Sequence, residues 1–202
     1  MDWNKPAQDS LIEKTKIALA ANGFNVLIAE NRRKAKEKVL ELVPKGSEVM
    51  TMTSVTLKTI GLEEALNESE NYNSLREKLM AMDRKTQGKE MNQLGSAPEY
   101  AIGSVQAVTS DGHVMIASAS GSQLPAYAYG AGKVIWVVGW QKIVNDKEDG
   151  FKRIYEHCFP LENERAKKVY GRPSSVNKIL IFNKEPVQNR TTLIIVKEVL
   201  GF

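Results

Sequence analysis

The sequence predicts an α/β fold, a three-layer α/β/α sandwich with a mixed, mostly parallel sheet and one internal β-hairpin at about 101–120. Three observations predict it. From Asp9 to Gly61, apolar runs of strand length alternate with amphipathic helical stretches, the rhythm of a parallel sheet. Asp111-Gly112 joins two further strand-like runs and is the strongest short hairpin signal in the chain. Charge is also unevenly spread. Between Ala101 and Asn145 only Asp111, Lys133 and Lys142 are charged, while six of the 14 glycines fall there, so this middle stretch is the candidate sheet centre and site.

The elements follow in order. Asp9-Ser10 caps a helix with apolar positions Leu11, Ile12, Ile17, Ala18 and Ala21, and Asn22-Gly23 stops it. FNVLIA (24–29) is a short buried strand. Asn31 to Leu42 is a second helix, with the stripe Ala35, Val39, Leu40 and Val43, broken at Pro44-Lys45-Gly46. SEVMTMT (47–53) is a strand that leads through Ser54 into a short helix closed by Gly61. Residues 63–94 are polar with periodic Leu66, Leu75, Leu79 and Met82, the pattern of one short and one longer surface helix. AIGSVQAVTS (101–110) and HVMIASAS (113–120) form the hairpin inside the sheet. GSQLPAYAYGAG (121–132) is a short helix with Pro125 in its first turn and Gly130 and Gly132 at its exit. KVIWVVGW (133–140) is a fully buried strand, and Tyr127, Tyr129, Trp136 and Trp140 read as core aromatics. Asn145 and Asp146 cap a helix to about His157, and Pro160 separates it from another over 161–170. NKILIFN (177–183) and TTLIIVKEV (191–199) are the last strands, and residues 1–202 read as a single domain.

Bulk composition excludes several functions. The chain carries 28 Lys and Arg against 24 Asp and Glu, with 15 of each sign in the first hundred residues and 13 against 9 in the rest. This mild C-terminal excess is not the dense basic stripe that counterion release requires of a dedicated nucleic-acid binder. Interleaved Glu makes the basic stretches 30–45 and 152–172 solvated helix faces, so nucleic-acid or partner binding on them is the weakest reading. The longest apolar run, Val134 to Trp140, is far short of a membrane span, and with the polar start MDWNKPAQDS a cytoplasmic location is expected. One cysteine, Cys158, and two histidines, His113 and His157, support neither a disulfide framework nor a metal centre, and no cofactor is expected on this chain. GAGK (130–133) precedes a strand and so is no phosphate loop, and G-x-G-x-x-G is absent. No serine has a histidine placed to activate it, which disfavours a hydrolase.

Three places share one geometry, a buried strand that ends in a polar loop of small residues: TMTSVTLK (51–58), ASASGSQL (117–124) and GWQKIVND (139–146). Ligands of open α/β sheets sit outside the carboxyl ends of the strands, where these loops would meet. The candidate ligand-binding residues are Thr53, Ser54 and Thr56 in the first loop, Ser118, Ser120, Gly121, Ser122 and Gln123 in the second, and Lys142 in the third. Gly121 allows close backbone approach, the hydroxyls and amide hydrogen-bond, and the N–H groups of the following helix favour a phosphate or carboxylate. Lys142 is the cation at a buried strand end, either aimed at a ligand or snorkelling to the surface. Among the carboxylates Asp83, Glu90, Glu99 and Asp146, Glu99 just before the first strand of the middle block is the catalytic candidate.

EYAIGSVQAVTSDGHVMIASASGSQL, GAGKVIWVVGWQKIV, PLENERAKKVYG and the closing VKEVLGF, in that order, resemble the stand-alone form of the LUD (lactate utilization) domain family. The motifs cover residues 95–202, and residues 9–94 are compatible in length and layout. The resemblance implies a fold similar to the ribose-phosphate isomerase, CoA-transferase and formyltetrahydrofolate cyclo-ligase group. It also implies a role beside iron–sulfur subunits in bacterial L-lactate oxidation, with any iron–sulfur centre on the partner protein, because this chain lacks the cysteines. It supplies no catalytic residues. The resulting expectation is a protein that binds a small anionic metabolite, a hydroxy-carboxylate or phosphate ester, in carboxylate metabolism. The alternative is an isomerase- or transferase-type enzyme using a carboxylate near the same anion cradle. Self-assembly into a homo-oligomer stays open.

Overall fold

The computed structural model describes residues 2–202. In chain order its elements are α1 (Asp9–Ala21), β1 (Asn25–Ala29), α2 (Arg32–Leu42), β2 (Glu48–Thr51), α3 (Val55–Thr59), α4 (Leu62–Asn67), β3 (Asn73–Ser74), α5 (Leu75–Met80), α6 (Arg84–Ser96), β4 (Tyr100–Gly103), β5 (Ala107–Thr109), β6 (Val114–Ser118), β7 (Lys133–Gly139), β8 (Ile143–Val144), α7 (Lys147–Arg153), α8 (Phe159–Tyr170), β9 (Lys178–Phe182) and β10 (Thr191–Val196). The α/β class and the mostly parallel sheet are as the sequence predicts. Six strands in the order β1-β10-β7-β4-β2-β3 form a sheet in which every neighbouring pair is parallel. The hairpin β5–β6 lies outside it, in a second sheet ordered β8-β5-β6-β9.

The strand β7 explains the layering. Ile135 and Val137 face one way, onto a core that includes Ala35 and Val39 of α2, Leu57 of α3, and Leu62 and Leu66 of α4. Val134, Trp136 and Val138 face the other way, onto Ile12 and Leu19 of α1 and onto Ile116 and Phe182 of the second sheet. A strand with no solvent face needs apolar residues on both sides, which is why KVIWVVG shows no alternation. The second sheet therefore takes much of the place of a helical layer, and its far side packs Ala107, Met115 and Val144 against Ile154 beyond α7.

Four local expectations change. The run 101–110 is not one strand: β4 ends at Gly103, the chain crosses between sheets at Ser104–Gln106, and β5 resumes in the second sheet. A side chain at Gly103 would collide with the Tyr127 phenol, so glycine is required at the crossover. Residues 63–94 form three helices and the two-residue edge strand β3, because Asn73 pairs with Glu48 across the sheet edge. Pro160 does not separate two helices. The helix widens into a π-helical turn at Ile154–Cys158 and runs on as α8, since a wider turn accommodates a ring that cannot donate. Finally, Tyr129 is 90% exposed whereas Tyr127 is buried, because residues two apart on the π-helical turn Ala126–Gly130 face opposite ways.

Candidate functional site

The carboxyl ends of β2, β4 and β7 lie on one edge of the parallel sheet, and the end of β6 approaches it from the second sheet. Between them, with α8 and the segment 171–177 as the outer wall, is a cleft of about 850 Å³. Thr53, Ser54, Thr56, Ser118, Ser120, Ser122, Gln123 and Lys142 all line it. The three loops thus converge, although the second reaches the cleft from a different sheet. Gly121 stands behind the lining with φ +86°, against the Lys178 side chain whose Nζ donates to the Ser120 carbonyl at 2.7 Å.

The serine loop is more self-contained than its composition suggests. Ser118 Oγ accepts the Gly121 N–H at 2.8 Å and donates to Gln123 Oε1 at 2.9 Å. Ser120 Oγ accepts the Ser122 N–H at 3.2 Å. These N–H groups are therefore engaged, and the helical stretch that follows is a short turn rather than a long helix with a strong dipole. The loop offers hydroxyl and amide groups to a ligand in place of a backbone nest. In the first loop Ser54 Oγ caps α3 by accepting the Leu57 N–H at 3.3 Å, and Thr53 Oγ1 accepts from Arg76 Nη1 at 3.2 Å.

Lys142 is neither snorkelling nor salt-bridged. It is 1% exposed, and its Nζ donates to Thr56 Oγ1 at 3.1 Å, Ser104 Oγ at 3.1 Å and the Val105 carbonyl at 3.2 Å. Three neutral acceptors hold the ammonium, with no carboxylate among the described residues within ion-pair distance. Burial, with the Arg153 charge adding to it, pushes its pKa down to about 7. Arg153 is itself fully buried. Its Nη1 donates to the Gln106 carbonyl and, at 2.8 Å, to Cys158 Sγ, while Nε and Nη2 have no partner. Burial pushes the Cys158 thiol up, against the pull of Arg153 and Lys142.

The depressed Lys142 pKa has a stability consequence with a definite sign. Between about 7 and the ordinary 10.5 the unfolded chain binds one proton that the folded chain does not, so stability rises with pH across that window and the penalty is complete below about 7. We expect the melting temperature of the wild type, taken relative to Lys142→Met, to climb from pH 7 to pH 10. A pH-independent difference would show that the amine is solvated.

Glu99 lies away from this cleft. It precedes β4, at the opposite edge of the parallel sheet, where its Oε2 accepts the Glu48 N–H at 3.0 Å. The carboxylates of the cleft are Glu63, which accepts the Ser54 N–H at 3.4 Å, and Glu162, held by Arg165 through two bonds of 2.7 Å. Sequence reasoning also missed Arg76, Ser104, Arg165, Arg172 and Cys158, all of which line the cleft. Ser104 sits in the charge-poor window and was findable there, whereas the arginines come from polar helices and the loop after α8, whose local sequence carries no such signal. Among the described residues no group of three or more His, Cys, Asp or Glu is placed to hold a metal ion, and no helix is long and apolar enough to cross a membrane.

The model of the LUD domain matches residues 12–196. The chain belongs to the LUD domain family. The LUD match takes in both sheets and the three polar loops of the cleft. The crystal structure of a DUF162 family protein from Deinococcus radiodurans is similar in fold to this LUD domain, with a TM-score of 0.57. It is 9% identical, and the match covers 95% of this chain and 99% of that one. A comparison with curated proteins finds no match.

Proposed function

We propose that this LUD domain protein binds a small anionic metabolite, a hydroxy-carboxylate or phosphate ester, in the cleft, and serves carboxylate metabolism of the lactate type. One observation carries the reading: apart from the buried Lys142, four cationic side chains, Lys58, Arg76, Arg165 and Arg172, line the cleft against two carboxylates, one of which Arg165 already neutralises. The excess positive potential in a concave site attracts an anion. Ser118, Ser120, Ser122, Gln123, Thr53, Ser54 and Thr56 supply neutral hydrogen bonds to its oxygens, and Gly121 keeps the serine loop in its left-handed turn. The volume exceeds what a three-carbon acid fills, which favours a larger ester or a second group bound alongside. Iron–sulfur subunits remain the expected partners in lactate oxidation, each carrying its own cluster.

The test is a thermal-shift titration with lactate, pyruvate, inorganic phosphate and sugar phosphates. A ligand at a hundred times its Kd stabilises by about 2.7 kcal/mol, on the order of 5–10 °C for a chain of this size. The shift should vanish in a Lys142→Ala, Gly121→Val double variant, because valine is strained at φ +86° and would strike Lys178. No shift with any anion would overturn the reading.

The enzymatic alternative is favoured by one observation, the presence of Glu63 in the cleft on the Ser54 backbone. Glu63, rather than Glu99, would be the proton acceptor of an isomerase or transferase.

A further inference from the structure

Lys142 does not have the surroundings of a structural cation. Every group that faces it is neutral or positive: Thr56 from α3, Ser104 and Val105 from the crossover, and Arg153, His157 and Cys158 from α7 and the π-helical turn beyond it. A buried ammonium with no counter-charge, beside a buried guanidinium with unpartnered nitrogens, is costly to keep. A neutral amine in the same position is fully accommodated. Thr56 Oγ1 gives its own proton to the Leu200 carbonyl at 3.1 Å and can only accept, and the Val105 carbonyl can only accept, so the amine donates to both. Ser104 Oγ can then donate its proton to the remaining lone pair. Ser104 and Lys142 both line the cleft, and swinging the Ser104 side chain away about χ1 turns that nucleophilic lone pair toward it. Desolvation beside another cation is the established means of activating an amine toward carbonyl carbon.

We infer that Lys142 Nζ forms an imine with the carbonyl carbon of a 2-oxo-carboxylate bound in the cleft. This rests on the reading that the cleft takes carboxylates. The lone pair of Nζ adds to the carbonyl carbon, giving a carbinolamine. The carbinolamine oxygen then leaves as water, taking up the two protons that the nitrogen loses, and a C=N bond replaces the C=O bond. The carboxylate end answers the cationic lining, and burial, with the Arg153 charge beside it, disfavours the protonated form of Lys142. Lactate, which has a hydroxyl in place of the keto group, would occupy the same cleft without reacting.

The experiment uses the full chain, pyruvate as the probe and borohydride to reduce any imine to a stable secondary amine, followed by intact mass and peptide mapping. The expected result is one reduced pyruvyl group per chain, on Lys142. At pH 7 an amine with a pKa near 7 is about half neutral, against about one part in 2,500 for an ordinary lysine, so labelling of Lys142 should exceed that of any other lysine by at least about tenfold. Labelling should rise as pH passes through about 7, fall when lactate competes, and disappear in Lys142→Arg, which keeps the charge. Mapping on the wild type makes the outcome independent of whether that variant folds. Label absent from the Lys142 peptide, or spread evenly over surface lysines, overturns the inference. If that happens while lactate and pyruvate still raise the melting temperature, the imine alone fails; if neither they nor any phosphate does, the anion-binding reading fails with it.

Discussion

Replacing Trp136 with alanine should lower the unfolding free energy by about 3–5 kcal/mol, the range for deleting a large buried aromatic side chain. The indole is fully buried on the face of β7 where three parts of the chain meet. Tyr127 from the turn after the serine loop packs on it edge-on, with centroids 5.3 Å apart and planes at 87°. Phe182 of β9 lies 5.2 Å away at 69°, and Phe24, between α1 and β1, lies 6.4 Å away at 47°. No single neighbour can collapse into the space, since each is tied to a different element, so the cavity term adds to the lost transfer energy. Denaturant titration of Trp136→Ala beside Trp136→Phe checks this. Phenylalanine should recover more than half of the loss, and a loss below about 1 kcal/mol for alanine would mean that the cluster does not join the two sheets.

Glu185→Ala should cost about as much, about 3–5 kcal/mol, because it leaves a buried guanidinium without its counter-charge. Glu185 and Arg190 are both buried in the loop between β9 and β10, with Nη1 2.9 Å from Oε2. Thr191 Oγ1 donates to the same carboxylate oxygen at 2.7 Å. The other guanidinium nitrogens hold the carbonyls of Ala126 and Tyr127, which begin the π-helical turn after the serine loop, and of Ala131, which follows it. The loss should therefore reach the site: the melting-temperature shift caused by an anionic ligand should shrink in Glu185→Ala even though neither residue lines the cleft. Glu185→Gln, which keeps the hydrogen-bond acceptor, should lose less. A variant with normal stability and a normal ligand response would remove this pair from the support of the site.

Much of the cleft's lining was legible in the sequence, and the reason is local. Ser54, Ser118, Ser120, Gly121 and Gln123 sit where a β-branched or apolar run stops, and turn chemistry of that kind is written within a few residues. Lys142 stood out for the same reason, as a cation just past the end of a buried apolar strand. What it touches was not legible. Its three acceptors come from α3 and from the crossover at Ser104–Gln106, and its like-charged neighbour Arg153 comes from α7. Glu99 lies away from the cleft for a related reason: a carboxylate beside a strand is near a cleft only if it stands at the carboxyl end, and that depends on strand direction within the assembled sheet.

The sequence by itself determined the α/β class, the buried central strand, the hairpin at Asp111-Gly112 and the positions of the polar loops, because each follows from periodicity or backbone preference within a short window. Only the tertiary structure decided that AIGSVQAVTS is cut in two and shared between sheets, with Arg153 and Lys142 donating to the carbonyls of Gln106 and Val105 in the crossover. It alone turned Pro160 from a break into the aftermath of a π-helical turn, and paired Glu185 with Arg190 under the site. These outcomes turn on which buried polar groups find partners across long sequence separations. Neither hydrophobic period nor turn propensity encodes that.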